Sequence, residues 1–251
     1  MNKLGNKIKE IRLREGLSQE AFAKELGYGS KSTINKIEKG INEISYDKLL
    51  LLIQKYDLAL DEIFDRNSKR HFESKTNESK LFISFSARDD GNCFDVANYM
   101  MNDNDNLVNF TDIFYNPCSK CNYECFSSIC KYRHDDIYNL LDSCSCFKKI
   151  VFIVPMYCGN PSSLFFILLE RMQDYFSQNE DKWVPFCDKL YFICIYGSDE
   201  ETPYFIEHFK ALVKEERILK IERHKYKMKM KDKVIDNQKV IELIGLFKTT
   251  L

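Results

Sequence analysis

Hydrophobic side chains change their spacing along this chain of 251 residues, and the change falls between residues 66 and 80. In residues 1–66 they recur three to four positions apart, as on the buried face of a helix. Gly16 and Gly40 are placed to end helices, and Ser18 and Ser45 are placed to begin them. The pattern predicts five helices, which cover about residues 4–13, 18–26, 30–39, 46–56 and 60–64.

From residue 80 onward, short apolar runs alternate with stretches of helical spacing. The clearest run, KIVFIVP at residues 149–155, is typical of a strand buried on both faces. Strands of this kind, separated by helices, form parallel sheets that are covered on both sides. We therefore predict an α/β domain with a doubly wound parallel sheet of strand order 2-1-3-4-5. The predicted strands cover residues 81–85, 107–114, 149–155, 189–196 and about 221–230, and the predicted helices cover residues 94–101, 135–141, 162–176, 202–214 and 234–247.

Residues 67–79, NSKRHFESKTNES, separate the two patterns. Phe72 is their only clearly apolar residue, and no apolar period runs through them. A polar segment of this kind is typical of a connector between domains. The chain is thus predicted to consist of a helical domain over residues 1–66, a linker over residues 67–79 and an α/β domain over residues 80–251.

Composition is typical of a soluble globular protein and says little about partners. The chain is 44% hydrophobic and 30% charged, with a net charge of −1, so no overall charge attracts it to nucleic acid or to a membrane. No run approaches the ~18 apolar residues of a transmembrane helix, and MNKLGNKIKE at the N-terminus has no apolar signal core. We therefore expect a cytoplasmic protein with no membrane partner. Its ten cysteines are expected to be free thiols or to serve metal or redox chemistry.

The helical domain resembles a known family. Residues 17–40, LSQEAFAKELGYGSKSTINKIEKG, have the spacing of the helix-turn-helix of XRE/Cro-type repressors, and residues 49–64 follow the closing pattern of that family. The resemblance implies that the second helix of the pair lies in the major groove of double-stranded DNA. It also implies a homodimer, because one such unit reads only a half-site.

Position by position, this resemblance identifies candidate DNA contacts. Four residues of the second helix would face base edges: Lys31, Ser32, Asn35 and Lys36. Gln19, at the start of the preceding helix, would contact phosphate. Lys can donate to guanine and Asn can pair with adenine. Residues 1–40 carry nine Lys and Arg against five Glu, a difference of +4, which favours salt-dependent binding. Further candidates for backbone contacts are Arg12, Arg14, Lys24 and Lys39, whereas Ile37 and Glu38 are expected to be structural.

A polar loop follows the first predicted strand of the α/β domain. After Phe85 the sequence runs SARDDGN and then takes helical spacing. Backbone N–H groups at a helix start attract anions, and serine, arginine and asparagine side chains can add donors. The loop is therefore predicted to hold a phosphate at the carboxyl edge of the sheet. The candidate residues are Ser86, Arg88, Gly91, Asn92 and Cys93.

This loop resembles the S-P-R-x-x-G-N-T loop of the flavodoxin-like NAD(P)H-dependent FMN reductases, with Ala87 in place of proline and Cys93 in place of threonine. A second loop, after residues 149–155, resembles the P-x-Y-x-G-x-x-S/T loop of the same family. Together they imply a flavodoxin-like fold that binds FMN or a related phosphorylated ligand, with NAD(P)H as a reductant and the second loop against the flavin ring. The residues of the second loop are Pro155, Met156, Tyr157, Cys158, Gly159 and Asn160.

Four cysteines lie close together after the second predicted strand: Cys118, Cys121, Cys125 and Cys130. Four thiolates this close could hold zinc or an iron–sulfur cluster. The stretch resembles the P-C-x-x-C-x-x-C insertion of FMN reductases and iron–sulfur flavoproteins, with one residue too many between Cys121 and Cys125. Free or reversibly oxidised thiols are the alternative.

Residues 220–233 are strongly basic. A lysine-rich edge strand that resists aggregation is one interpretation, and contact with DNA is the other.

Three functions are compatible with these patterns. The first is a transcription regulator whose α/β domain senses flavin or redox state. The second is an NAD(P)H-dependent FMN or quinone oxidoreductase that carries a DNA-binding domain. The third is a flavin-free ligand-binding or interaction domain on the same fold. Because two separate sets of motifs occur on one chain, we favour the regulator.

Overall fold

The computed structural model describes residues 3–58, 72–116, 118, 125, 130, 132–133, 135–197, 203–229 and 231–251. The chain divides into two units, Met1–Lys69 and Arg70–Leu251. The predicted linker spans this division, and Phe72 within it is buried in the core of the second unit. Among the described residues, no helix is both long and apolar enough to span a membrane.

The first unit is a bundle of short helices around a small apolar core. Ser18 caps the second helix, because its side-chain oxygen accepts a hydrogen bond from the backbone N–H of Ala21 at 3.1 Å. Gly16 and Gly40 have φ angles of 67° and 71°, which favour glycine and let the chain turn where helices end. The described helices are α1 (Lys3–Arg14), α2 (Gln19–Glu25), α3 (Lys31–Glu38) and α4 (Tyr46–Lys55). They confirm four of the predicted helices, and the fifth, at residues 60–64, lies outside the described residues.

The second unit contains a parallel sheet of five strands. They are β1 (Lys80–Ser84), β2 (Asn106–Asn109), β3 (Lys149–Tyr157), β4 (Leu190–Tyr196) and β5 (Ile218–Glu222). Their order is β2-β1-β3-β4-β5, with Phe82 opposite Val151 and Phe152 opposite Phe192 in the registers of the central strands. This is the predicted order 2-1-3-4-5, and with helices on both faces it gives a flavodoxin-like fold.

Side chains that alternate along the strands fill two separate cores. On β3, Phe152 and Val154 point into the first core, and Val151 and Ile153 point into the second. The helices are α5 (Asn92–Met100), α6 (Asp136–Ser143), α7 (Ser163–Ser177), α8 (Glu180–Lys189), α9 (Phe205–Phe209) and α10 (Gln238–Lys248). Helices α6 to α9 pack in the first core, and α5 and α10 pack in the second.

Four elements differ from the sequence predictions. The helix predicted over residues 202–214 is the short α9, Phe205–Phe209. The second strand ends at Asn109, where a short 3₁₀ turn, Phe110–Asp112, replaces its predicted continuation. The last strand is Ile218–Glu222, and residues 223–227 form turns. Helix α8 was not predicted: it contains Pro185, and Phe186 is its one buried residue, so its apolar face gives a weak signal.

Candidate functional site

Helix α3 presents the residues predicted to contact DNA on its outer side. Ile34 and Ile37 are buried in the core of the first unit. Lys31, Ser32 and Lys36 are exposed, and Asn35 is half-buried. Because residues four positions apart share a face of a helix, the structure brings these four side chains together on one surface.

A buried ion pair holds α3 in place. The Arg12 Nε donates to Glu38 Oε1 at 2.6 Å, and the Arg12 Nη1 donates to the backbone oxygen of Leu17 at 2.7 Å. The Gln19 side-chain nitrogen donates to Glu38 Oε2 at 2.8 Å. Glu38 therefore joins α1, α2 and α3, which confirms its structural role. The expectation that Arg12 contacts the DNA backbone is wrong, because this side chain is buried against Glu38.

The loops at the carboxyl edge of the sheet enclose a cavity of about 700 Å³ in the second unit. This volume lies in the range of small-molecule and cofactor sites. Nine of the residues predicted to bind a cofactor line it, namely Ser86, Arg88, Asn92, Cys93, Pro155, Met156, Tyr157, Cys158 and Gly159. Gly91 and Asn160 belong to the same loops and adjoin these lining residues in the chain.

The loop after β1 offers several hydrogen-bond donors. The Ser86 hydroxyl oxygen accepts from the backbone N–H of Arg88 at 3.1 Å, so its hydrogen can point to a ligand. The Asn92 side-chain oxygen accepts from the backbone N–H of Val234 at 3.0 Å, which leaves its amide nitrogen as the donor. Gly91 precedes α5 and has no side chain to cap the first N–H groups of that helix. Its φ is −89° and an added Cβ would make ordinary contacts, so neither its backbone conformation nor the surrounding space demands glycine.

One acidic group near this helix start is balanced by a lysine. Asp95 lies in the first turn of α5, where its carboxylate would repel an anion. The Lys233 Nζ lies 3.1 Å from Asp95 Oδ2. This ion pair offsets the negative charge of Asp95.

Cys93 lines the cavity but belongs mainly to the core. It is buried beside Val96 and Val151. Burial raises the pKa of its thiol to about 12, although Arg88 acts in the opposite direction. The thiol is therefore neutral at physiological pH and is a weak donor where the resembling family has a hydroxyl.

The loop after β3 is a tight hairpin in which Tyr157 pairs with Asn160. Its two central residues, Cys158 and Gly159, have φ angles of 49° and 80°. A type I′ turn requires positive φ angles at both of these positions. The turn leaves the Tyr157 ring 55% exposed beside the cavity. Glycine suits the second turn position, whereas a cysteine in this conformation is uncommon.

Ser162 connects the bases of the two loops. Its hydroxyl donates to the backbone oxygen of Phe85 at 2.7 Å, and its backbone N–H donates to the Pro155 oxygen at 3.1 Å. The ends of β1 and β3 are thereby fixed next to each other. Arg88 and Tyr157, predicted to act on one ligand, consequently line one cavity.

Other residues that line the cavity come from the last two strands and the segments after them, of which the sequence had indicated only the loop at residues 197–201 as a candidate part of this pocket. They are Ile195, Tyr196, Gly197, Pro203 and Arg223. Arg223 lies in the basic segment, directly after β5. The last strand was predicted over residues 221–230, with Arg223 inside it. Because the observed strand ends at Glu222 and parallel strands end at one edge, Arg223 instead reaches this cavity.

The predicted metal site is only partly described. Cys118 is exposed, Cys125 is half-buried and Cys130 is buried, whereas Cys121 lies outside the described residues. The described part of the chain contains no group of three or more potential metal ligands. A site that uses Cys121 therefore stays a prediction.

Arg171, on α7, anchors both flanks of this cysteine segment. Its Nη1 donates to the Asn116 backbone oxygen and to Asp135 Oδ2, both at 2.9 Å. Its Nη2 donates to the Tyr132 backbone oxygen at 3.1 Å. The buried guanidinium thus fixes where the segment leaves and rejoins the rest of the fold.

Residues 8–63 match a family model described as helix-turn-helix, which agrees with the geometry of α1 to α4. No curated protein matches the chain. Among solved structures, the restriction-modification controller protein C.AhdI from Aeromonas hydrophila is 32% identical over 25% of this chain and 92% of its own, with a TM-score of 0.23. The N-terminal unit contains a helix-turn-helix domain.

Other solved structures overlap the second unit. The Trp repressor binding protein from Bacillus subtilis is 12% identical over 68% of this chain and 99% of its own, with a TM-score of 0.45. The flavoenzyme NAD(P)H:(acceptor) oxidoreductase FerB from Paracoccus denitrificans is 10% identical over 68% of this chain and 96% of its own, with a TM-score of 0.41. The flavodoxin-like assignment rests on the strand order of the second unit itself.

Proposed function

We propose that this chain is a DNA-binding transcription regulator whose flavodoxin-like unit binds FMN or a closely related flavin. The observation that carries the proposal is the occurrence, on one chain, of a helix-turn-helix domain with an exposed polar α3 face and a ligand cavity at the switch point of an α/β sheet. Binding of the ligand, or a change in its redox state, regulates DNA affinity. Typical couplings of this kind amount to about 1–3 kcal/mol.

The DNA-binding role is supported by the chemistry of α3. Lys31 and Lys36 can donate to guanine or to phosphate, and Asn35 can form two hydrogen bonds with adenine. The Arg12–Glu38 pair fixes α3 while leaving these side chains outside the core. Because a helix-turn-helix reads one half-site, we infer that the active species is a homodimer on a two-fold symmetric operator.

Flavin binding is supported by the distribution of polar and apolar groups in the cavity. Ser86, Arg88 and Asn92 place donors beside the open start of α5, where a phosphate would be held. Met156 and Tyr157 provide an apolar and aromatic wall for a flat ring. Cys93 supplies a weaker donor than a hydroxyl, so the remaining donors would carry most of the phosphate binding. A bound flavin would supply electron-transfer chemistry, and these residues would bind and orient it.

The DNA-binding proposal is tested by selecting sites from a random duplex library with the full chain and then measuring mobility shifts. Lys31→Ala and Lys36→Ala should each weaken specific binding about tenfold, since base contacts of this kind contribute about 1–3 kcal/mol. Lys9→Ala is the matched control, because Lys9 is also exposed but lies on α1. Failure to select any sequence, or equal effects of all three variants, would contradict the proposed role of α3.

The flavin proposal is tested by fluorescence titration of the full chain with FMN and riboflavin. Wild-type protein should bind FMN more tightly, because the phosphate adds charge-assisted hydrogen bonds. Arg88→Gln should reduce this preference about tenfold and leave riboflavin affinity unchanged. A chain that binds neither compound does not use this cavity for a flavin.

A further inference from the structure

Arg223 is the cationic residue at the end of the cavity opposite Arg88. It is the first residue after β5, and its backbone N–H donates to the Tyr196 oxygen at 2.8 Å, beside the end of β4. Arg88 follows β1, and β3 and β4 lie between β1 and β5. Three inter-strand spacings therefore separate the two strand ends, roughly 14 Å. The cavity thus has an arginine near each end.

The Arg223 side chain is held by one of its three nitrogens. Its Nη2 donates to the backbone oxygens of Lys229 and Asp232, which shapes the basic turn after β5. Its Nε is buried and has no hydrogen-bond partner among the described residues. An unpaired buried donor is unfavourable and needs an explanation. A ligand acceptor at this end of the cavity could satisfy the guanidinium after a small rotation of the side chain.

The wall between the two arginines is largely apolar. Pro155, Met156 and Ile195 line it, and the Tyr157 ring stands beside it. This arrangement suits an elongated ligand with an anionic group at the Arg88 end, a flat apolar middle and hydrogen-bond acceptors at the Arg223 end.

We propose that Arg223 binds the edge of the ligand's ring system opposite the phosphate and makes the cavity prefer the reduced ligand. This inference rests on the proposed flavin binding and identifies the residue that would distinguish the two redox states. The flavin ring has carbonyl oxygens along one edge and gains negative charge on reduction. A guanidinium bound at that edge stabilises the reduced form more than the oxidised form. A regulator can respond to redox state only if it binds the reduced and the oxidised ligand with different affinities.

The test uses the full chain and a closely matched pair of variants, Arg223→Gln and Arg217→Gln. Arg217 is also half-buried and also donates to two backbone oxygens, those of Cys187 and Asp188, but it lies at the opposite end of β5 from the cavity edge. Affinities for FMN and riboflavin are measured for both redox states, with anaerobic titration of the reduced forms, and the midpoint potential of bound FMN is measured in parallel.

Arg223→Gln should weaken the binding of oxidised FMN and of oxidised riboflavin by the same factor, because Arg223 is proposed to contact the ring and Arg88 the phosphate. It should weaken the reduced forms about tenfold more, the effect of one charge-assisted hydrogen bond. A tenfold loss of preference lowers the midpoint potential of this two-electron couple by about 30 mV. Arg217→Gln should change none of these values.

The outcomes separate this inference from the proposed function. If wild-type protein binds FMN and Arg223→Gln behaves like Arg217→Gln, the role of Arg223 is wrong and flavin binding stands. If wild-type protein binds no flavin, both fail. If the Arg223→Gln protein does not fold, the Arg223→Lys variant provides the test. Lysine lacks the planar guanidinium that can donate to two acceptors at once, so this variant should bind FMN and riboflavin several-fold more weakly. Wild-type affinities in a folded Arg223→Lys protein would overturn the inference.

Discussion

The two units each bury an arginine against a carboxylate, but they use the pair for different purposes. Arg12 of the first unit is 7% exposed and bonds to Glu38, and Arg171 of the second unit is 1% exposed and bonds to Asp135. The first pair joins three regular helices behind the surface proposed to contact DNA. The second pair anchors the irregular chain on both sides of the cysteine segment. A buried ion pair can therefore fix either a binding surface or the two ends of a segment.

The two pairs also differ in how completely their polar atoms are satisfied. Around Arg171, three buried polar atoms lack hydrogen-bond partners within the part of the chain that the structure describes: Arg171 Nε, Asn116 Nδ2 and Asp174 Oδ1. Burial raises the pKa of Asp135 to about 6, although Arg171 counteracts the shift. Since buried pairs add little net stability but are costly to break, the second unit should be more sensitive to loss of its arginine.

Arg171→Met is the most severe test of this comparison. It leaves the Asp135 carboxylate buried without its cation, so the free energy of unfolding should fall by about 3–5 kcal/mol. Urea unfolding followed by the fluorescence of Trp183 measures this loss in the second unit, because Trp183 is the single tryptophan of the chain and packs on Phe176 and Phe186. A loss below about 1 kcal/mol would show that the pair is not needed.

The same variant should have a characteristic pH dependence. The folded-state pKa of Asp135 lies above the ordinary value of 3.8, so protonation favours the folded state. This stabilisation is complete below about pH 4 and is lost as the pH rises through about 6. Without Arg171 the folded pKa rises further, so Arg171→Met should be more destabilising at pH 8 than at pH 5. Adding Asp135→Asn, which removes the unpaired charge, should restore part of the stability and abolish this pH dependence.

Glu38→Gln tests the corresponding pair in the first unit. It removes the anion from the buried Arg12 but leaves an amide oxygen that can still accept a hydrogen bond, so the expected loss is smaller, about 2–3 kcal/mol. Helix content measured by circular dichroism should melt in two steps, with the first unit unfolding earlier and Trp183 fluorescence unchanged in that step. Glu10→Gln is the control, because Glu10 forms an exposed ion pair with Lys7 at 3.0 Å, and such pairs contribute under about 1 kcal/mol. Equal losses in both variants would remove the distinction between the buried and exposed pairs.

The sequence predicted the fold where local patterns agree with tertiary structure. The run at residues 149–155 became the central strand β3, because its apolar residues supply both cores. The last strand lies earlier in the sequence than predicted because of a tertiary contact. The alternating pattern KYKMKMK after residue 224 imitates a strand, but Arg223 bonds to the Lys229 and Asp232 oxygens and closes the chain into turns.

The candidate site was predictable to a similar extent. Residues of the loops after β1 and β3 could be identified from motifs, because each loop is local in sequence. Arg223 was missed because the last strand was predicted over residues 221–230, which placed this residue inside the strand instead of after its end at Glu222. Arg12 was misassigned because its partner Glu38 lies 26 positions away, and a charge pattern in sequence cannot distinguish a buried pair from a surface cation.

The two units also differ in the side chains that their proposed binding surfaces use. The first unit presents exposed charges on α3, whereas the cavity of the second unit is lined partly by the buried thiol of Cys93. Cys93→Ser replaces a weak donor with a hydroxyl, so FMN should bind about threefold to tenfold more tightly while riboflavin affinity stays unchanged, as expected for one added hydrogen bond to phosphate. Cys194→Ser is the control: Cys194 is fully buried in β4, burial raises its pKa, and it does not line the cavity. Both variants should lose similar stability, and Cys194→Ser should leave both affinities unchanged. An FMN affinity that falls, or that changes together with riboflavin affinity, would mean that Cys93 lies away from the phosphate, and the phosphate would then have to be sought elsewhere along the loop between β1 and α5.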